Sequence, residues 1–432
     1  MTTLQFRARV RALTISLCLL ALCAPPHAAA QPTRGRAGAR AEARRTQKRP
    51  PEFRFDTDGA ALRIPFELYA NVILVRARVN GSAPLWFLLD TGANGSLIDS
   101  RHARRLGLRR LGAVDIKGMG GSVAGSYMGG ANFGLPGVRV FGRKVFSMPL
   151  SPLFARFGRR VDGVIGYDFF KLFVVEVDYA AKTINLYDPR SYEYKGAGEV
   201  VPFTLRDGHP YARVRLGFEG DRAVEGDFEI DTGSDGSLAV NRPFAERHRV
   251  LELLPEASAA KTGAGAGGET SYVESRVREI GLGRFTFERP VVTFSRDTEG
   301  SGADEKSDGQ LGGEIFRRFK VVFDYPRGRM ILEPNANFSD PFAADTSGLD
   351  IVAEGRDLRT FTVNAVEPGS PAAEAGLREE DTILAVDGRP ARDFDLDGLT
   401  RLLMQAGKEY ELTVRRGRET LKLRLKLNSS RQ

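Results

Sequence analysis

Phe87-Leu88-Leu89-Asp90-Thr91-Gly92 returns 141 residues later as Phe228-Glu229-Ile230-Asp231-Thr232-Gly233, and both copies run on to Gly-Ser-Leu, at Gly95-Ser96-Leu97 and Gly236-Ser237-Leu238. One Asp-Thr-Gly in a chain of 432 residues is a weak signal, but two at matched places in a duplicated unit are not. Outward from them, Ile64-Pro65-Phe66 recurs as Val201-Pro202-Phe203, and the strand at 72–79 corresponds to 212–216. Asp162-Gly163-Val164-Ile165-Gly166 matches Asp308-Gly309-Gln310-Leu311-Gly312, and 174–179 matches 321–325 with one residue inserted. Features in one order at offsets of 137 to 146 residues indicate two copies of one fold. Short alternating runs separated by Gly and Pro make that fold mainly β. Alternation puts Phe87 and Leu89, and Phe228 and Ile230, on a core-facing side of each strand.

The chemistry follows from the aspartates. Two carboxylates held within about 3 Å cannot both ionise, so they share one proton. The ionised member takes a proton from a trapped water and the protonated member donates to the carbonyl under attack, with no covalent intermediate. One copy supplies one carboxylate; this chain contains both, so catalysis needs no dimer. Gly92 and Gly233 permit a tight turn that brings N–H groups to the carboxylates. Thr91 and Thr232 can hydrogen-bond across the pseudo-twofold axis. Neither a cofactor nor a metal is required, and His102, His209 and His248 have no metal-ligand spacing.

These residues resemble those of the aspartic peptidases over roughly 60–335, nearer to the bacterial retropepsin-like families than to digestive pepsins. The resemblance implies a two-lobed, pseudo-symmetric acid-protease β-barrel fold with lobes at 53–195 and 196–340, Asp90 and Asp231 as the catalytic pair, and Thr91, Gly92, Thr232, Gly233 and Ser234 in support. Ile165-Gly166 and Leu311-Gly312 match the apolar-Gly element that threads behind each catalytic loop. It also implies two flap loops, each about 30 residues past its aspartate. Half one offers Gly120 and Gly121 before Tyr127, and half two offers Gly267 and Gly268 before Tyr272. The partner is then a peptide or protein substrate. Ala93 follows the first triplet, where such enzymes usually carry a hydroxyl, while Ser234 follows the second. A hydroxyl there lowers the dyad pKa, so one missing hydroxyl moves the expected pH optimum toward neutral.

A different unit occupies 346–428. Ser370, Pro371 and Gly376 bracket a short helix, Ile383–Val386 is a strand closed by Asp387-Gly388, and Leu396, Leu399 and Leu403 form one stripe of a second helix. The run from Pro368 to Gly388 resembles the PDZ domains of bacterial exported proteases, a small α+β fold, although Glu380 stands where Gly is usual. That likeness implies that an extended C-terminal peptide adds to a sheet edge at Gly348, Leu349, Asp350 and Ile351, with its carboxylate on N–H groups near Gly348 and Leu349.

Arg7, Arg9 and Arg11, an apolar stretch from Ala12 to Ala24 and Ala28-Ala29-Ala30 read as a secretory signal peptide over 1–30, with Cys23 offering a weaker lipoprotein reading. Both cysteines lie inside it, so the mature protein has no disulfide. Residues 31–52 read as a basic disordered tether, one that could also lie across an acidic cleft as an inhibitory segment. The net charge of +8 resides in these segments. Of the 63 basic residues, three lie in 1–30 and seven in 31–50, which leaves 53 against 54 acidic residues in the body. A neutral body argues against a nucleic-acid partner, and no later stretch is apolar enough to span a membrane. The expected location is periplasmic or secreted. The rival readings are a non-catalytic peptide-binding protein with a degenerate protease fold and a scaffold whose function lies in the PDZ unit.

Overall fold

A computed structural model describes residues 19–20, 52–57, 59–254 and 261–429 of the protein. The expected signal peptide and basic tether therefore lie outside the described residues, apart from Glu52 and the pair Leu19–Leu20, which forms a short strand opposite Lys117 and Gly118.

Each lobe is built around the strand that ends at its aspartate. In the first, Leu85–Leu89 lies between the antiparallel strand Val72–Val79 and the parallel strand Gly163–Ile165, which also pairs antiparallel with Leu97–Asp99. In the second, Ala223–Ile230 lies between His209–Gly217 and Gly309–Leu311, and the latter pairs antiparallel with Leu238–Val240. Both faces of the first central strand are covered, since Phe87, Leu88 and Leu89 are all buried, so its apolar run is continuous at the aspartate. The duplicated Asp162 and Asp308 have matching work: each carboxylate accepts the N–H four residues before its lobe's aspartate, from Trp86 at 2.9 Å and from Asp227 at 2.8 Å.

A six-stranded antiparallel sheet joins the lobes, in the order Ala60–Tyr69, Thr183–Tyr187, Val174–Asp178, Phe319–Asp324, Arg329–Pro334 and Glu199–Pro202. Val174 pairs with Asp324 and Asp178 with Lys320, so the pseudo-twofold axis passes between Glu176 and Val322. This register corrects the sequence comparison. Val175 matches Val321 and Tyr179 matches Tyr325 at a constant offset of 146, and no residue is inserted.

Residues 349–426 form a separate six-stranded sheet with two helices, Pro371–Glu374 and Leu396–Leu403. Ser370 caps the first by accepting the Ala373 N–H at 3.3 Å, and Asp395 caps the second by accepting that of Gly398 at 2.8 Å. Leu396, Leu399 and Leu403 turn inward from the second helix. This unit docks on the first lobe. The Arg156 guanidinium reaches both oxygens of Asp350 at 2.6 Å, and the Asp350 carboxylate is fully enclosed.

Glu380 adopts φ 68°, in the left-handed region, so the residue standing in place of a usual glycine is held in a glycine conformation. Glu380→Gly is expected to stabilise the C-terminal unit by roughly 0.5–1 kcal/mol, since relief of the left-handed strain outweighs the added chain entropy. Denaturant unfolding measures it, and a destabilised variant would contradict the argument.

Candidate active site

The two aspartates meet on the pseudo-twofold axis between the lobes, both completely buried. Each is held by its own turn: the Gly92 N–H donates to Asp90 Oδ1 and the Gly233 N–H to Asp231 Oδ1, both at 2.8 Å. Glycine is needed because the opposite carboxylate comes so close. A methyl group on Gly92 would stand 2.6 Å from the Asp231 carboxyl carbon, and one on Gly233 2.5 Å from that of Asp90. Behind each turn a backbone bond fixes the aspartate, with the Asp90 N–H donating to Ile165 O at 3.0 Å and the Asp231 N–H to Leu311 O at 2.9 Å.

Thr91 and Thr232 cross-link the loops. The Thr91 hydroxyl donates to Ile230 O at 2.6 Å and accepts from the Thr232 N–H at 2.9 Å. The Thr232 hydroxyl donates to Leu89 O at 2.8 Å and accepts from the Thr91 N–H at 3.1 Å. Four bonds thus tie the loops together, two to the carbonyl just before the other lobe's aspartate and two from the N–H just after it.

Burial pushes the Asp90 carboxyl well above the ordinary carboxylate range, and the adjoining Asp231, which also shares a hydrogen bond with it, pushes it further. The Gly92 N–H works in the opposite direction. The pair therefore retains a proton under conditions where an exposed aspartate has lost it. Among the described residues, no group of three His, Cys, Asp or Glu side chains could hold a metal ion.

Two hairpins close over the dyad. The turn between Arg109–Gly118 and Gly121–Leu135 meets the turn between Lys261–Gly265 and Gly268–Arg276, and the Gly120 N–H donates to Ala266 O at 3.0 Å. The tips are pressed so close that a side chain on Gly120 would overlap the Gly268 backbone, which explains the glycines expected there. Tyr272 lines a small cavity under this roof with Met119, Ser234 and Gly236. Tyr127, expected to serve likewise, packs instead on Phe146 with the Lys144 ammonium 3.8 Å from its ring centre. An apolar cavity on the other side is lined by Val72, Leu88, Phe154, Phe157, Gly233 and Asp235.

The aspartyl protease family model matches residues 75–169 and again 214–315, one match in each lobe, and a PDZ domain model matches 362–416. The chain carries a duplicated aspartyl protease domain followed by a PDZ domain.

Two expectations for the PDZ domain need correction. The N–H groups of Gly348 and Leu349, assigned to a terminal carboxylate, are already bonded, to the Asp345 carboxylate at 3.1 Å and to Ser347 Oγ at 3.1 Å. The cause is local: Asp345 also accepts the Ser347 N–H at 2.8 Å, so a stretch read as linker folds back as an Asx turn. Asp350, assigned to peptide binding, instead holds Arg156 and Asn364. Leu349 and Ile351 do face the groove beside the second helix. That groove contains a cavity of about 230 Å³, walled on the far side by Phe157, Asp235, Gly236, Leu238 and Thr293 of the protease lobes. Asp235 and Phe157 also line the apolar cavity beside the dyad, and Gly236, Leu238 and Thr293 the one under the flaps. Sequence reasoning had no signal for this inward-facing groove, because Arg156 and Asp350 lie 194 residues apart.

A buried carboxyl with a raised pKa stabilises the fold most fully below the ordinary carboxylate pKa, and that stability is lost as pH rises through the folded-state value. Wild-type protein should therefore lose melting temperature between about pH 4 and pH 8 more steeply than Asp90→Asn. Thermal denaturation across that range tests it, and parallel curves would contradict the shift.

Proposed function

We propose that the protein is an aspartic endopeptidase that hydrolyses peptide bonds with a water activated between Asp90 and Asp231. One observation carries this reading: two enclosed, hydrogen-bonded carboxyls lie on the axis between duplicated lobes, beneath two hairpins that touch. The dyad holds one proton. Its ionised member takes a proton from water as the water adds to the carbonyl, the protonated member donates to the carbonyl oxygen, and the proton then passes to the leaving nitrogen. The flaps exclude bulk water and can grip an extended peptide through backbone groups. The sequence pattern at the amino terminus supports action outside the cytoplasm, in the periplasm or as a secreted protein.

The PDZ domain serves in this reading to recruit substrate. The walls shared between its groove and the cavities beside the dyad support delivery of a bound segment directly to the cleft. Apolar contacts from Leu349, Ile351, Leu403 and Met404 hold that segment, and a terminal carboxylate enters only by displacing Asp345 from the Gly348 N–H.

Asp90→Asn and Asp231→Asn should each lower peptide turnover by at least about a thousandfold while peptide binding persists. The pH–rate maximum should lie nearer neutral than about pH 2. Turnover that survives either substitution would overturn the assignment, and a maximum near pH 2 would overturn the raised dyad pKa.

Arg156→Ala leaves the enclosed Asp350 carboxylate without its cation, at a cost of about 3–5 kcal/mol. It should split a single calorimetric transition into two and raise KM for protein substrates more than it lowers kcat. A single unchanged transition would show that this ion pair does not couple the domains.

A further inference from the structure

Beneath the dyad the two lobes differ in one respect. Tyr211 pairs with Glu229 as Leu74 pairs with Leu88, so His209 and Glu229 occupy the places held in the first lobe by Val72 and Leu88. Val72 and Leu88 are apolar and line a cavity. His209 Nδ1 and Glu229 Oε1 stand 2.6 Å apart, with side chains only 3% and 2% exposed. An ion pair so enclosed is costly to bury, and an apolar pair at the same place in the other lobe shows that the fold does not need it.

Its position puts it in electrical contact with the dyad. Glu229 lies near the end of the strand Ala223–Ile230, two residues before Asp231, which follows that strand directly. The turn at Asp207-Gly208 carries His209 toward Asn94 and Tyr167. Tyr325 approaches from the interlobe sheet, with its hydroxyl buried and unbonded. The charged or titratable groups around the pair are thus Asp90, Asp231, Asp207, Tyr167 and Tyr325.

We propose that His209 and Glu229 form a positioning pair that breaks the symmetry of the dyad, so that the shared proton rests on one carboxyl in preference to the other. The glycine N–H bonds and the reciprocal threonine bonds match between the two carboxyls, while Ala93 follows one triplet and Ser234 the other. Only the second lobe places an imidazole and a carboxyl at this level. Glu229 is among the groups that raise Asp90, after burial and Asp231 itself. Burial opposes a charged imidazole at His209, but Glu229, with further help from Asp231, holds its pKa above the ordinary value. An ion pair carried by one lobe alone acts unequally on the two carboxyls and so favours one of their two protonation states. One aspartate is then the general base toward water and the other the acid toward the carbonyl oxygen. Neither His209 nor Glu229 need touch substrate.

This inference rests on the dyad as the reacting pair, but its test does not need turnover. Protein carrying carbon-13 at its Asp carboxyls is titrated by NMR, with Asp90 and Asp231 assigned from Asp90→Asn and Asp231→Asn. In the singly protonated range the wild type should give two distinct signals, one at the position of a neutral acid and the other at that of a carboxylate. The double variant His209→Val, Glu229→Leu rebuilds the first lobe's pair, and in it the separation should collapse toward a common average. Glu229→Gln keeps the side-chain volume and should reduce the separation if the double variant fails to fold. Averaged signals in the wild type, or a separation that survives the variants, would each overturn the proposal. Failure of the proposed peptidase activity itself would appear separately, as wild-type turnover no greater than that of Asp90→Asn.

Discussion

Two carboxyl groups buried at close range repel unless a proton lies between them, and the architecture of the catalytic body follows from holding them there. Each aspartate is fixed from three directions. The glycine N–H of its own turn holds one oxygen, a backbone bond from the threading strand holds its N–H, and the opposite threonine holds the residue before it. None of these bonds is strong alone, at about 1 kcal/mol net each. Together they leave the carboxyls no alternative position, and a lobe that drifted would leave several buried donors and acceptors unsatisfied at once. The six-stranded interlobe sheet has the same effect at longer range, because the axis through Glu176 and Val322 forces the lobes to face one another.

The cover is built to a different standard. Among the described residues the flap tips join through a backbone bond from Gly120 to Ala266, between glycine-rich turns with few side chains to bury. Parting them loses about 1 kcal/mol of bonding, whereas parting the threonine loops costs several times that. A rigid floor and a weakly latched roof are what a hydrolase needs if it must exclude water during reaction and still admit a polypeptide.

Much of this was legible in the sequence because the constraint acts on consecutive residues. Asp-Thr-Gly, the apolar strand before it and the apolar-Gly element after it are each set by local geometry, so each recurs in both halves. The paired flap glycines were legible for the same reason. What escaped depends on contacts between distant segments. Tyr127 and Tyr272 hold similar places after their glycines, yet one packs on Phe146 and the other lines the cleft. Asp350 reads as part of a peptide-binding edge until Arg156 of the first lobe reaches it, and Asp345 reads as linker until its carboxylate folds onto Ser347 and Gly348. The apparent inserted residue near 321 came from aligning Val-Val with Val-Val, where strand register aligns Val175 with Val321.

Duplication also explains where the two halves were free to diverge. Positions that hold the dyad are bound by symmetry, since a change in one lobe breaks a bond to the other. The segments flanking the cleft carry no such obligation. In the first lobe, 154–160 packs on the PDZ domain, with Gly158 against Leu396 and Arg156 on Asp350. In the second, the region around Gly300 presses on the Met119 carbonyl and so braces the first lobe's flap. A peptide has direction and a water attacks from one side, so a perfectly twofold site would bind its substrate in two equivalent ways. The departures from symmetry lie at the edges of the cleft and in the layer beneath the carboxyls, where they leave undisturbed the bonds that bring the acids together.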